Sequence, residues 1–245
     1  MRVETLFTPS EITEAAVKDR VVVVIDVLRA CTTIAFAMSR RCERIIPVAS
    51  VEAAMNLASS LEKKVTLLGG EREGKRIDGF DLGNSPLEYT EDVVKGKAVV
   101  LATTNGTRAM SMSQGAKEIL VASFVNMASV VERASGLGKE TLTVVCAGES
   151  GKFSLEDAVC AGMLIDRLGE TNAVDLNDGA QAARSLYLQN QNSIADLLKQ
   201  CEHGRYLEGL GFAKDLDICS RVDSLNILPV VKEGRIVKPK RSKRK

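Results

Sequence analysis

The stretch VVVVIDVLRACTT, residues 21–33, decides the fold. Its apolar run leads straight into Asp26, and Arg29, Thr32 and Thr33 follow closely. A half-exposed strand would alternate apolar and polar residues. An unbroken β-branched run reads instead as a strand buried on both faces. The carboxyl end of such a strand is where open α/β sheets collect ligands. An acid, a guanidinium and two hydroxyls at that point predict a site.

Working outward, the pattern alternates strands with helices. Residues 2–7 read as a short strand and Ser10 as the N-cap of a first helix with acids in its first turn. The segment 32–39 reads as a helix, 45–48 as a strand, 51–61 as a helix capped by Ser50, and 65–68 as a strand. Residues 69–86, GGEREGKRIDGFDLGNSP, break this rhythm and read as a long irregular loop, which in a compact domain usually marks function. A strand over 97–103 then ends in Thr103-Thr104-Asn105-Gly106-Thr107, with a helix expected from Arg108. Residues 119–122 and 141–146 read as strands, and 126–135 as a helix. The second of these strands ends in Ala147-Gly148-Glu149-Ser150-Gly151, after which Ser154 caps a helix to about 168. Residues 176–220 read as helical, 228–231 with 236–237 as a terminal hairpin, and 238–245 as a disordered basic tail.

These alternations predict a layered α/β/α fold with a mainly parallel or mixed sheet. It would form one domain over 1–237. The strand–turn–helix units at 21–39 and 141–168 echo each other, which suggests related halves at about 1–138 and 139–237.

Composition narrows the function. A net charge of +1 gives no field for nucleic acid or a membrane surface, and 4% aromatic residues without Trp are poor base-stacking material. No apolar run approaches the roughly 18 residues of a membrane span. The first ten residues lack the apolar core of a secretory leader. Six cysteines without a C-x-x-C pair, and a single histidine, His203, argue against zinc and for reduced thiols in a cytoplasm. His203 itself reads as structural, because no motif surrounds it.

If the sheet is parallel, the strand ends share one edge. They would gather Asp26, Glu71, Asp81, Glu149, Glu156 and Asp157 with Arg29 and Arg72. Oxygen ligands of this kind suit a hard cation such as Mg²⁺. Hydroxyls, backbone N–H groups and arginines suit phosphate or another oxyanion. Together they suggest phosphoryl chemistry. Neither G-x-x-x-x-G-K-[ST] nor G-x-G-x-x-G is present. Asp26 stands where a haloacid-dehalogenase-type phosphatase has its nucleophile, but Leu28 occupies the place of that enzyme's second acid.

Five strings together resemble the 2-phosphosulfolactate phosphatases: VVVVIDVLRACTTI (21–34), GGEREGKRIDGFDLGNSPLEY (69–89), TTNGTRA (103–109), VVCAGESGKFSLEDAVCAG (144–162) and HGRYLEGLGFAKDLDIC (203–219). The resemblance runs over about 1–237. It implies a Mg²⁺-dependent acid phosphatase, of a family first recognised in coenzyme M biosynthesis, that converts 2-phospho-3-sulfolactate to 3-sulfolactate and phosphate. It also implies a distinctive α/β fold. It directs attention to Asp26, Arg29, Thr32 and Thr33; to Glu71, Arg72, Asp81, Asn84 and Ser85; to Thr103–Thr107; and to Gly148, Ser154, Glu156 and Asp157.

On this reading Asp26, Glu71 and Asp157 are the catalytic and Mg²⁺-linked acids. The substrate-binding set is Arg29, Thr32, Thr33, Arg72, Asn84, Thr104, Asn105, Gly106, Thr107, Gly148 and Ser154. Arg29 and Arg72 are expected to take the substrate's anions. The partner is a small phosphorylated, sulfonated acid, and a homodimer is compatible with the exposed glycine loops. Activated water and a covalent carboxylate both remain open as nucleophile. A phosphatase of another small phosphorylated acid or sugar phosphate, and a non-catalytic anion-binding protein, are the alternatives.

Overall fold

A computed structural model describes residues 1–62, 64–137 and 140–239. The first of its strands is β1 (Arg2–Leu6). Ser10 is not the first cap: Thr8 opens a short 3-10 turn, and Thr13 caps α1 (Glu14–Val17) by accepting from Ala16 N. β2 (Val21–Ile25) is the buried strand anticipated from its apolar run. Val21, Val23 and Ile25 enter one core cluster, and Val22 and Val24 the other. Each such side chain contributes about 1.5–3 kcal/mol on full burial, so β2 anchors both layers.

α2 (Ala30–Ser39) and β3 (Arg44–Val48) follow, then α3 (Val51–Ser59), capped by Ser50 as anticipated. β4 (Thr66–Arg72) corrects the loop expected from position 69. The strand runs through Gly69 and Gly70 and turns back into β5 (Lys75–Arg76). The two glycines are sites of close backbone approach rather than loop punctuation. A Cβ on Gly69 would lie 2.4 Å from Tyr89 Oη, and one on Gly70 2.1 Å from Ala102 O. Glu73 and Gly74, both with positive φ, make the two-residue hairpin turn.

α4 (Glu91–Val94) and β6 (Ala98–Ala102) lead to α5 (Gly106–Met112), which begins two residues before the expected Arg108. Next come β7 (Glu118–Ala122), α6 (Met127–Ser135), β8 (Thr141–Cys146) and α7 (Leu155–Thr171). A short β9 (Asp175–Leu176) was not anticipated. The helical region then resolves into α8 (Asp178–Asn190), α9 (Ile194–Gln200), α10 (Glu202–Gly209) and α11 (Ala213–Cys219). The terminal hairpin is β10 (Val230–Lys232) with β11 (Arg235–Val237). Most of the basic tail, residues 240–245, lies outside the described residues.

The fold is layered α/β with one mixed sheet, ordered β5-β4-β6-β3-β11-β10-β7-β2-β8-β1-β9. Within it β4, β6 and β3 are mutually parallel, and so are β7, β2, β8, β1 and β9. The antiparallel hairpin β11–β10 joins these two blocks. Pro47 is tolerated in β3 because β11 pairs there only opposite Ile45. α6, α7 and α8 cover one face around β2, while α2 and α5 cover the other.

One consequence corrects the expectation of a single shared edge. Three antiparallel pairings separate β3 from β7, so the blocks run in opposite senses. Their carboxyl ends nonetheless converge. A Cβ on Gly106, after β6, would lie 2.7 Å from Asp26 Oδ2, after β2, and residues following β4, β6, β2 and β8 line one cavity.

Candidate active site

The convergence is closest between Asp26 and Gly106. Asp26 leaves β2 almost fully buried, at 6% exposure. Its Oδ1 accepts from Ala30 N at 3.0 Å and thereby caps the start of α2. Its Oδ2 takes no hydrogen bond among the described residues and faces a cavity of about 1010 Å³. A Cβ on Gly106 would lie 2.7 Å from that oxygen, so only glycine lets α5 begin against it. Burial pushes the Asp26 carboxyl up to about 7, opposed by the charge of His203 and the Ala30 N–H and reinforced by Glu149 and Glu71.

The hairpin β4–β5 brings Glu71 to the same cavity. Glu71 Oε1 accepts from Thr104 N at 3.1 Å and Thr104 Oγ1 at 3.0 Å, and Oε2 from Gly74 N at 2.9 Å. The carboxylate therefore joins its own turn to the Thr-Asn-Gly turn. Asn105 continues the chain of contacts by donating to Glu149 Oε2 at 2.9 Å and accepting from Ser150 N at 3.3 Å. Thr107 folds back on Thr103, donating to its carbonyl at 2.7 Å.

The third wall is the turn after β8. Gly148 has φ +66°, and a Cβ there would meet Lys152 O at 2.3 Å, so the tight turn requires glycine. Ser154 lines the cavity and caps α7, accepting from Asp157 N at 3.3 Å. The two acids of that first turn diverge. Asp157 turns away from the cavity: Oδ1 accepts from Val27 N at 2.8 Å and Oδ2 from Gly148 N at 3.1 Å. It clamps the turns after β2 and β8 together. Burial, with the charges of Asp26 and Glu156, pushes its carboxyl well up. Glu156 instead lines the cavity.

Opposite Glu156 stands His203, from α10. Its Nδ1 lies 3.3 Å from Glu149 Oε2 and 3.5 Å from Glu156 Oε1. Burial pulls the imidazole down, but its hydrogen bond with Glu156 and the charges of Glu149, Glu156 and Asp26 outweigh that, and its pKa is raised. Burial alone would push Glu156 up; His203 and the backbone at the start of α7 hold it below the usual value. His203, read from the sequence as structural, thus stands at the cavity beside two of its acids. The signal that could have found it was the string HGRYLEGLGFAKDLDIC, whose other residues also reach the cavity: Arg205 and Tyr206 line it.

Of the residues singled out in the sequence, Asp26, Arg29, Glu71, Arg72, Asn84, Thr103, Thr104, Asn105, Glu149, Ser154 and Glu156 line the cavity. Thr32, Thr33, Gly106, Thr107, Gly148 and Asp157 stand behind it. Thr32 donates to Val27 O at 2.8 Å, and Thr33 to Asn84 O at 2.7 Å. Arg29 is 2% exposed and paired with Asp215 at 2.8 Å. Arg72 and Lys152 are exposed at the cavity and, among the described residues, take part in no ion pair. Asp81 accepts from Leu68 N at 2.8 Å, away from the cavity. Asn84 Oδ1 is buried without a partner, which leaves that amide unsatisfied by the chain.

The charge around the cavity tests whether a cation fits. Asp26, Glu71, Glu73, Glu149, Glu156 and Glu202 face Arg29, Arg72, Lys152, Arg205 and His203. With Arg29 already neutralised by Asp215, the acids prevail. Such a cavity would repel a multiply anionic ligand unless a cation joined it. The donors are oxygens on separate segments. Among the described residues, no three His, Cys, Asp or Glu side chains form a preassembled cage. Asp26, Glu71 and Glu149 are the cavity carboxylates that could hold a hard cation, since Mg²⁺ is bound through one or two carboxylates with water and phosphate in its remaining positions.

The sequence matches known proteins along its length. A family model described as 2-phosphosulpholactate phosphatase matches residues 6–234. A relative from Caldanaerobacter subterraneus subsp. tengcongensis, named a probable 2-phosphosulfolactate phosphatase, is 38% identical over 96% of this chain and 97% of its own. Relatives of the same name occur in Clostridium acetobutylicum, at 37% identity over 97% and 100%, and in Symbiobacterium thermophilum, at 42% over 89% and 94%. The five motif strings, the buried acid at a convergent cavity and these matches agree: the chain belongs to the 2-phosphosulfolactate phosphatase family of phosphoric monoester hydrolases.

Proposed function

We propose that the chain hydrolyses 2-phospho-3-sulfolactate to 3-sulfolactate and phosphate in a Mg²⁺-dependent reaction. The observation that carries this is the open Oδ2 of a buried Asp26, at a cavity whose acids outnumber its free cations. Mg²⁺ would be held by Asp26, with Glu71 and Glu149 beside it. When bound it would polarise the phosphoryl oxygens and offset the charge that develops on them.

The chain's own residues supply the rest. Arg72, Lys152 and Arg205 draw the anionic substrate to the mouth and pair with its sulfonate and carboxylate. Asn84, which lines the cavity, donates from its amide nitrogen Nδ2 to the bound ester. His203, kept protonated by Glu156 and Glu149, gives its proton to the ester oxygen as the phosphoryl group leaves. Asp157, Thr32 and Thr33 hold the turns that aim these groups. Asp26 Oδ2 is open both to a water, as a hydrogen-bond acceptor, and to the phosphorus, as a nucleophile. The stereochemical course at a chiral phosphorus distinguishes them: inversion means one displacement by water, and retention means two displacements through a phospho-enzyme.

The six cysteines are free and buried, which suits a reducing compartment. We therefore place the chain in the cytoplasm. No helix of the described residues is long and apolar enough to cross a membrane.

The test is phosphate release from 2-phosphosulfolactate with and without Mg²⁺. The proposal expects release that chelation abolishes and Mg²⁺ restores. Mg²⁺-dependent binding without release would instead support a non-catalytic anion-binding protein. Faster release from sugar phosphates would reassign the substrate.

A further inference from the structure

Asp215, in α11, does not line the cavity and is 1% exposed. Its Oδ2 accepts from Arg29 Nη1 at 2.8 Å, and its Oδ1 from Ser85 Oγ at 2.7 Å. Arg29 carries the connection further. Its Nη2 donates to Gly74 O at 2.6 Å, and its guanidinium lies 4.3 Å above the Phe212 ring. One buried carboxylate therefore ties together three segments remote in sequence: the turn after β2, the tip of the β4–β5 hairpin and the turn at 84–85. Each of them presents a different side chain to the cavity, namely Asp26, Glu71 and Asn84.

Stability alone is a poor reason for such an arrangement. A buried ion pair is often no better than apolar residues of the same volume. Its particular property is directional: Arg29 bonds two fixed oxygens at once, in a planar fork. The hairpin tip is seated on the same helical wall by a further bond, Tyr206 Oη to Glu73 O at 3.0 Å.

We infer that Asp215 is a positioning residue: acting through Arg29 and Ser85, it sets where Glu71 and Asn84 stand relative to Asp26. The inference rests on the cavity being the phosphatase site proposed above. It also changes the role of Arg29. The guanidinium is neutralised and spoken for within the fold, so the anion-binding cations are those at the mouth.

The experiment compares wild type, Asp215→Asn and Ser85→Ala by two readouts. One is tryptic cleavage after Arg72, Lys75 and Arg76, all exposed in the hairpin. The other is kcat and KM for phosphate release. Asp217→Asn, which loses only the exposed pair with Lys199, serves as the control. Asp215→Asn is expected to speed hairpin cleavage at least tenfold while other sites keep their rate, and to lower kcat/KM at least tenfold. Ser85→Ala keeps the Arg29 tie, so hairpin cleavage should hold and KM should rise severalfold as Asn84 is released. If Asp215→Asn does not fold, the uncharged pair Arg29→Met with Asp215→Leu replaces it and should show the same two changes. Hairpin cleavage at the wild-type rate, or cleavage faster at every site alike, overturns the inference. Wild type without phosphatase activity defeats the proposed function instead, and leaves the cleavage readout to decide the positioning role.

Discussion

At the scale of single residues, the cavity depends on carboxylates with different duties. Asp26 has an oxygen open to the cavity, whereas Asp157 spends both oxygens on backbone N–H groups. Adjacent acids in one helical turn point about 100° apart, so sequence proximity could not say which of Glu156 and Asp157 faces inward. Asp26→Asn should remove activity by about 10²–10⁴-fold while the chain stays folded, since Asn can still accept from Ala30 N. Near-normal turnover would refute its central role. The same variant makes a pH prediction. Burial holds the folded carboxyl up at about 7, above the ordinary aspartate value of 3.8. Its contribution to stability is thus full below about pH 4 and lost as pH rises through 7. In chelated buffer, Asp26→Asn should melt above wild type at pH 8, with the gap closing near pH 4. Adding Mg²⁺ should raise the wild-type Tm and leave the variant's almost unchanged. Thermal melts across pH, with and without the ion, read both effects.

At the scale of elements, glycine was the most misleading residue type. Gly69 and Gly70 read as loop, yet they sit in β4 because Tyr89 and the Ala102 carbonyl press against it. Periodicity within a segment carries no information about a neighbour's backbone. Gly106 is the functional counterpart: a side chain there would strike Asp26 Oδ2 at 2.7 Å and Ala30 Cβ at 2.8 Å. Gly106→Ala should displace Asp26 and cost about 10- to 100-fold in kcat, because small misplacements of a reacting group are that expensive. Overpacking should also lower stability by about 1–3 kcal/mol. Paired kinetics and thermal melts test both; an unchanged kcat would show that the contact is not catalytically constrained. Two helix starts, by contrast, were readable. Ser50 and Ser154 cap as their spacing foretold, because capping is settled within four residues.

At the scale of the whole molecule, the terminal hairpin joins two parallel blocks of opposite sense. Deleting residues 229–237 would leave β3 and β7 as bare edges and remove the fully buried Ile236. Unpaired edges template aggregation. The truncated chain should therefore fail to give a soluble folded monomer, checked by gel filtration and circular dichroism. A soluble monomer with the wild-type Tm would show that the blocks dock without it.

The sequence by itself determined the buried strand at 21–25, the alternation of elements, the caps at Ser50 and Ser154 and the motif strings of the family. These follow from local chemistry: side-chain shape, periodicity and hydrogen bonds spanning a few residues. Only the tertiary structure decided that the sheet reverses between β3 and β7. It also decided that His203 joins Glu149 and Glu156, and that Arg29 is paired with the buried Asp215. The physical reason is that hydrophobic burial sets which residues go inside without direction or partner. Partners are chosen by long-range strand pairing and by the packing that brings distant strand ends to one cavity.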